Sequence, residues 1–157
     1  MAAPCRIRPA SAADIPAVHE IERAVFADPW PRGDFRECLT AEEADVLVAE
    51  WDTPARVAGY VVARTAADEG EILNLAVAPD GRRRGVGRAL VVAVLDALAK
   101  RGVREVFLEV RESNADARSL YAAHGFREVG RRPQYYRRPP EDAIILRAGI
   151  TPPGPEA

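Results

Sequence analysis

This chain has almost no cysteine, histidine or lysine, no long apolar run and no excess of charge, and most of these absences exclude something. Its two cysteines, Cys5 and Cys38, have no Cys or His close to either in sequence, so neither a zinc pattern nor a redox pair is visible. His19 and His124 also stand alone, and no metal site is expected. The longest apolar run, residues 89–99, is broken by Asp96 and falls short of the ~20 residues that a membrane span needs. The first ten residues lack the apolar core of a secretory signal. A net charge of −2 and a pI near 5.8 give no electrostatic case for direct nucleic-acid binding. These features lead us to expect a soluble, cytoplasmic protein with no membrane contact. Lysine occurs once, at Lys100, against 21 arginines, a ratio that fits codon bias better than anion binding.

What is present reads as one α/β domain over residues 1–149 with a flexible tail at 150–157, in a chain of 157 residues. Residues 5–9 alternate like a short edge strand that Pro9 ends. Ser11 to Asp14 resembles a capping box with Asp in place of Glu, and a helix burying Ile15, Val18, Ile21 and Val25 should follow. The run Phe26-Ala27-Asp28-Pro29-Trp30-Pro31 breaks it, and residues 34–39 form a second short helix. Three strands at 45–51, 56–66 and 71–78 are joined by turn compositions at 52–54 and 68–70, which favours hairpins. From Val86 the period changes: Val86, Leu90, Val94 and Leu98 make one helical stripe, and Lys100-Arg101-Gly102 closes it. A strand at 105–110 puts Val106, Leu108 and Val110 on one face and Phe107 and Glu109 on the other. Ser113 or Asn114 caps a helix to His124, and strands at 126–137 and 143–147 close the chain. The sum is a mixed, mostly antiparallel sheet of six or seven strands with about four helices.

Two stretches carry chemistry. The first is Arg82-Arg83-Arg84-Gly85-Val86-Gly87-Arg88, between a strand and a helix. A helix N-terminus offers unpaired N–H groups and partial positive charge to a pyrophosphate. Gly85 and Gly87 keep a Cβ away from the approaching anion, and the arginines add charge-assisted bonds. No Gly-Lys-Ser/Thr follows and the third Rossmann glycine is missing, so neither of those phosphate motifs is present. The second stretch is Leu108-Glu109-Val110-Arg111-x-Ser113-Asn114-x-x-Ala117-x-x-Leu120-Tyr121-x-x-x-Gly125-Phe126.

Arg82-x-x-Gly85-x-Gly87 after a strand resembles the acyl-CoA signature of the GCN5-related N-acetyltransferases. The second stretch, with Phe26-x-x-Pro29-Trp30, Arg131-Arg132, Tyr135-Tyr136 and Glu141-Asp142-Ala143-Ile144-Ile145, is similar to the protein N-terminal branch of that family. Within it, the bacterial enzymes that acetylate the N-terminal alanine of a ribosomal protein match best. The resemblance covers most of residues 6–147. It implies acetyl-CoA as co-substrate and no metal, held in a splay between the fourth and fifth strands. The backbone of Leu75, Ala76 and Val77, on a bulged strand, would bond the pantetheine and thioester. Arg82, Arg83, Arg84, Gly85, Val86, Gly87 and Arg88 would wrap the pyrophosphate, and the Asn114 side chain would contact the pantetheine.

The same resemblance implies Glu109 as general base and Tyr121 as general acid. An amine attacks a thioester only when neutral, so its proton must be taken, and the departing thiolate is helped by a nearby donor. Pro29 and Trp30 on one side, with Tyr135 and Tyr136 on the other, would grip the backbone of the acceptor. That acceptor is expected to be a protein N-terminus, the alanine of a small-subunit ribosomal protein above all. The family often has Asn just before the paired tyrosines, whereas this chain has Arg132-Pro133-Gln134. No motif marks a covalent nucleophile, so direct attack in a ternary complex is expected. The alternatives are acetylation of a small amine, which would want an open acidic cleft, and a non-catalytic acetyl-CoA-binding module, which has no need of Glu109 and Tyr121.

Overall fold

The computed structural model describes residues 5–52 and 55–151. Its strands are β1 (Cys5–Pro9), β2 (Ala44–Asp52), β3 (Ala55–Ala66), β4 (Glu69–Val77), β5 (Glu105–Arg111), β6 (Arg127–Arg137) and β7 (Pro140–Gly149). They form one seven-stranded sheet in the order β1-β2-β3-β4-β5-β7-β6. Only β4 and β5 run parallel; every other neighbouring pair is antiparallel. The mostly antiparallel sheet and four α-helices expected from the pattern are both there. Of the expected turn at 52–54, positions 53 and 54 lie outside the described residues, as does the expected tail from 152 onward.

Helices α1 (Ile15–Val25) and α2 (Arg32–Thr40) cover one face, and α3 (Val86–Lys100) and α4 (Ala115–Ala122) cover the other. On α3 the stripe Val86, Leu90, Val94 and Leu98 is at most 1% exposed. Full burial of each such side chain contributes about 1.5–3 kcal/mol. That stripe packs on Val61, Ala63, Ile72, Val106 and Leu108 of the sheet. On the opposite face Ile15, Val18, Phe35 and Cys38 pack against Val48, Tyr60, Val62 and Ala76. The start of α1 is fixed as a capping box would fix it: the Asp14 carboxylate accepts the Ser11 N–H at 2.8 Å. A short 3-10 turn, Ala12–Asp14, precedes the helix itself.

Two irregularities shape the centre of the sheet. Pairing between β4 and β5 runs only from Glu69↔Glu105 to Ile72↔Leu108. Beyond that point residues 73–77 and 109–111 part company, and the sheet opens into a V between its central strands. In addition, Val62 of β3 faces Asn74 while Ala63 faces Ile72, so Leu73 is an extra residue, a β-bulge. A bulge puts two successive side chains on one face. Leu73 packs in the cluster under α1 and α2, and Asn74 reaches into α1 on the same side.

Candidate active site

The V opens on both faces, and the two expected catalytic side chains approach it from opposite sides. Glu109 is the first β5 residue past the paired segment, and strand alternation turns it away from the face that Leu108 and Val110 share with α3. Its side chain is 20% exposed, and Arg132 of β6 donates Nε to its Oε1 at 3.0 Å. Its other oxygen, Oε2, is buried and has no well-aligned hydrogen-bond partner among the described residues, although the Tyr135 hydroxyl lies close enough to this carboxylate to bond it. Tyr121 comes from α4, on the face of α3, where it is 6% exposed and meets Phe126 edge-on at 5.4 Å. Burial and the neighbouring Tyr136 push its phenol well above the ordinary value of 10, so it keeps its proton.

The wall behind Glu109 is aromatic. Tyr135 and Tyr136 sit edge to face at 5.1 Å. Glu109's negative charge, and then burial, raise the Tyr135 phenol, and burial followed by Glu109's charge pushes Tyr136 up to about 12. Arg111 lies over the Tyr136 ring at 4.2 Å. Of the two, only Tyr136 has a regular partner across the hairpin. Arg132 faces Ala143 and Tyr136 faces Glu141, so three residues of β6 span one of β7. Gln134 adopts φ +52° within that bulge, and its N–H is held by the Asp142 carboxylate at 2.9 Å. The bulge swings Tyr135 outward until it is 51% exposed. In the cluster under α1 and α2, Trp30, half-buried like Pro29, packs on Phe35 at 5.2 Å.

The arginine-rich turn follows directly from β4. A 3-10 turn, Pro79–Gly81, leads into it, and Arg83 and Gly85 both take left-handed backbone (φ +62° and +83°). Successive N–H groups in such a turn form a concave anion cradle. Among the described residues no side chain caps α3, so its first N–H groups are not taken up by a capping side chain. Gly85 is there for its φ: a Cβ on it would meet nothing within 4 Å. Gly87 has another reason, because its Cβ would lie 3.2 Å from Leu120 Cδ2. It lets α3 close on α4. Arg82, Arg83, Arg84 and Arg88 are exposed, with Arg84 over the Trp51 ring at 5.5 Å.

Just past β4 the Ala78 N–H bonds the Ala58 carbonyl of β3 at 2.8 Å. By strand alternation Ala76 also turns its backbone to β3, while Leu75 and Val77 present theirs to the V. Asn114, not Ser113, caps α4: its Oδ1 accepts the Ala117 N–H at 3.1 Å. Its amide NH₂ takes no part in that bond.

This combination of an arginine-rich turn, a split parallel strand pair and a carboxylate and a phenol on opposite faces of the sheet has counterparts. Residues 15–126 match the model of the acetyltransferase (GNAT) family. The chain belongs to that family. GNAT enzymes draw their acetyl group from acetyl-CoA, and the V, the turn and the uncapped helix are of a kind that holds it. The chain is 37% identical over 140 residues to the [ribosomal protein bS18]-alanine N-acetyltransferase of Escherichia coli strain K12, covering 88% of this chain and 93% of that one. Its Salmonella typhimurium counterpart is also 37% identical, over 143 residues, 90% of this chain and 95% of the relative. The crystal structure of the ribosomal-protein-S18-alanine N-acetyltransferase from Escherichia coli superposes with a TM-score of 0.86 at 35% identity, over 98% of both chains.

Sequence reasoning missed three side chains of this GNAT site. Arg132 appears there only as part of a motif, and that it reaches Glu109 depends on the β6 bulge. Glu71, raised above the usual glutamate range by burial and by Glu109's charge, lies on the same face as Glu109. Glu22, buried under the Trp30 loop, had a visible signal: it stands seven residues after Ile15 and four after Val18, on the apolar stripe of α1.

Proposed function

We propose that this acetyltransferase moves the acetyl group of acetyl-CoA onto the N-terminal α-amine of a protein, the alanine of the small-subunit ribosomal protein S18 being the preferred acceptor. The observation that carries this reading is the Glu109 carboxylate on the first β5 residue past the β4 pairing, held through Oε1 by Arg132 beside Tyr135 and Tyr136, with the protonated Tyr121 on the α3 side of the sheet. Arg132 occupies Oε1, which leaves Oε2 as the basic lone pair. A ribosomal-protein acceptor places the reaction in the cytoplasm.

The α-ammonium gives up a proton to Glu109, directly or through water, and the neutral nitrogen attacks the thioester carbonyl. The C–S bond breaks as the new C–N bond becomes an amide, a second N–H proton leaves to solvent, and the sulfur takes a proton donated by Tyr121, which recovers its own from water. The backbone of Leu75 and Val77 bonds the pantetheine and thioester side, Ala76 holds the strand to β3, and Arg82 to Arg88 cradle the pyrophosphate. Pro29 and Trp30 face Tyr135 and Tyr136 across the acceptor backbone. An unperturbed α-amine has a pKa of about 8 against about 10.4 for lysine, so near neutrality its free fraction is roughly two orders of magnitude larger. A carboxylate base suits the former. Arg132 on Glu109 and Arg111 over Tyr136 oppose the acidic cleft that a polyamine would need.

A panel of short peptides differing only at the first residue, incubated with acetyl-CoA and read by mass spectrometry, tests the preference. Alanine first should lead, with bulky first residues slowest. Equal rates across the panel would remove the claim that these walls select the acceptor.

A further inference from the structure

Glu22 is the most deeply buried charged side chain among the described residues, at 1% exposure. A carboxylate there is costly unless its lone pairs are filled, and an apolar residue of similar size would ordinarily serve stability better. Its three partners are neutral donors from three separate elements. The Trp30 N–H donates to Oε2 at 2.9 Å, Asn74 Nδ2 donates to Oε1 at 2.8 Å, and the Tyr60 hydroxyl donates to the same Oε1. Trp30 packs on Phe35, and Phe35 meets Tyr60 edge-on at 5.5 Å, so the ring of contacts closes on itself. Asn74 reaches Glu22 only because the Leu73 bulge turns it to the face of α1, and the next residue is Leu75.

We propose that Glu22 is a positioning residue. It ties the Trp30 loop, the acceptor wall, to the β4 strand that holds the thioester, and so fixes the distance between the two substrates. A carboxylate is required because only an acceptor-only group with two oxygens gathers donors from loop, β3 and β4 together. This inference rests on the acceptor and thioester roles assigned under the proposed function. Glu22 touches neither substrate and acts through Trp30 and Asn74.

Glu22→Gln keeps the shape but leaves at least one donor without an acceptor. The KM for a good peptide should rise about ten-fold, the loss of one bond to a charged group. The turnover number should change by less than about three-fold and acetyl-CoA affinity should hold. Tyr60→Phe removes a bond from the same carboxylate without touching the loop; it should lower the melting temperature yet leave peptide KM within about two-fold. In a Trp30→Ala background Glu22→Gln should add little to KM. Should Glu22→Gln fail to fold, Asn74→Ala cuts the link from the β4 side and should give the same KM rise.

A fall in melting temperature with unchanged peptide KM, an equal KM rise in Tyr60→Phe, or full additivity with Trp30→Ala would each overturn the proposal. Hydrogen exchange at the Trp30 amide separates this inference from the reading beneath it. Should the wild type acetylate no peptide α-amine, the N-terminal reading fails on its own. Slow Trp30 exchange in the wild type that becomes at least about ten-fold faster in Glu22→Gln would then still establish the anchor. Equal exchange in the two proteins would overturn it.

Discussion

Gly85 and Gly87 lie two residues apart in the arginine-rich turn, yet only Gly85 should be sensitive to replacement by alanine. Gly85 has φ +83° with open space around it. An alanine there is placed in left-handed backbone at about 1–2 kcal/mol, of which about 0.4–1 kcal/mol is recovered from a stiffer unfolded chain. The net loss of about 1 kcal/mol corresponds to about 2–4 °C in melting temperature for a chain of this length. Relaxing the strain would also pull the turn out of its anion-cradling shape, weakening acetyl-CoA roughly ten-fold if about 1–2 kcal/mol is released. Gly87 is already inside α3, where alanine is favoured over glycine by about 0.5–1 kcal/mol. Its Cβ would press on the end of the Leu120 side chain at 3.2 Å, which must shift a few tenths of an ångström. These effects nearly cancel, so Gly87→Ala should leave both melting temperature and cofactor affinity close to wild type. Thermal denaturation and calorimetric titration with acetyl-CoA measure both quantities. A larger affinity loss in Gly87→Ala than in Gly85→Ala would show that Gly87 faces the ligand rather than Leu120, and would refute this reasoning.

Glu109→Gln and Tyr121→Phe should each lower turnover by about 10²–10⁴-fold, the range for a general acid or base, with acetyl-CoA affinity unchanged in a titration. The Glu109 variant should lose most at low pH, where free amine is scarcest. Asn114→Ala should cost about 1 kcal/mol through loss of the α4 cap, seen as a lower melting temperature; a drop in acetyl-CoA affinity beyond that would show its amide NH₂ at work. Arg8 bonds both Asp14 oxygens at 2.8 Å and, despite partial burial, holds its carboxyl below the ordinary 3.8. A depressed folded-state pKa stabilises the fold above the unfolded value and ceases to do so as pH falls through the folded one. Wild-type stability should therefore fall below about pH 4, and a denaturation series in Asp14→Asn should show a shallower slope there.

Much of the fold was legible because it rests on periodicity. The α3 stripe and the alternation of β5 are strong local patterns, and the second places Glu109 opposite Leu108 without any tertiary knowledge. Caps were legible only in part. Ser113 and Asn114 are both good N-cap residues, and it is the Asn114 Oδ1 that accepts the Ala117 N–H. The bulges were not legible. The bulge at Leu73 depends on register with β3, and that in β6 on Gln134 taking φ +52° over Asp142. The family resemblance implied the first but had no account of the second. The Arg132–Glu109 pair and the outward Tyr135 follow from it. Gly87 was read for the anion alone; its close packing on Leu120 of α4, a helix distant in sequence, was not legible.

The function is tested most directly by one pair of peptides. Each begins with alanine and carries one internal lysine, and in one of them the α-amine is blocked. With acetyl-CoA and enzyme, mass spectrometry should find a single acetyl group on the open peptide, at its first nitrogen, and none on the blocked one. Acetylation of the blocked peptide's lysine at a comparable rate, or a free polyamine outcompeting both peptides, would contradict N-terminal transfer.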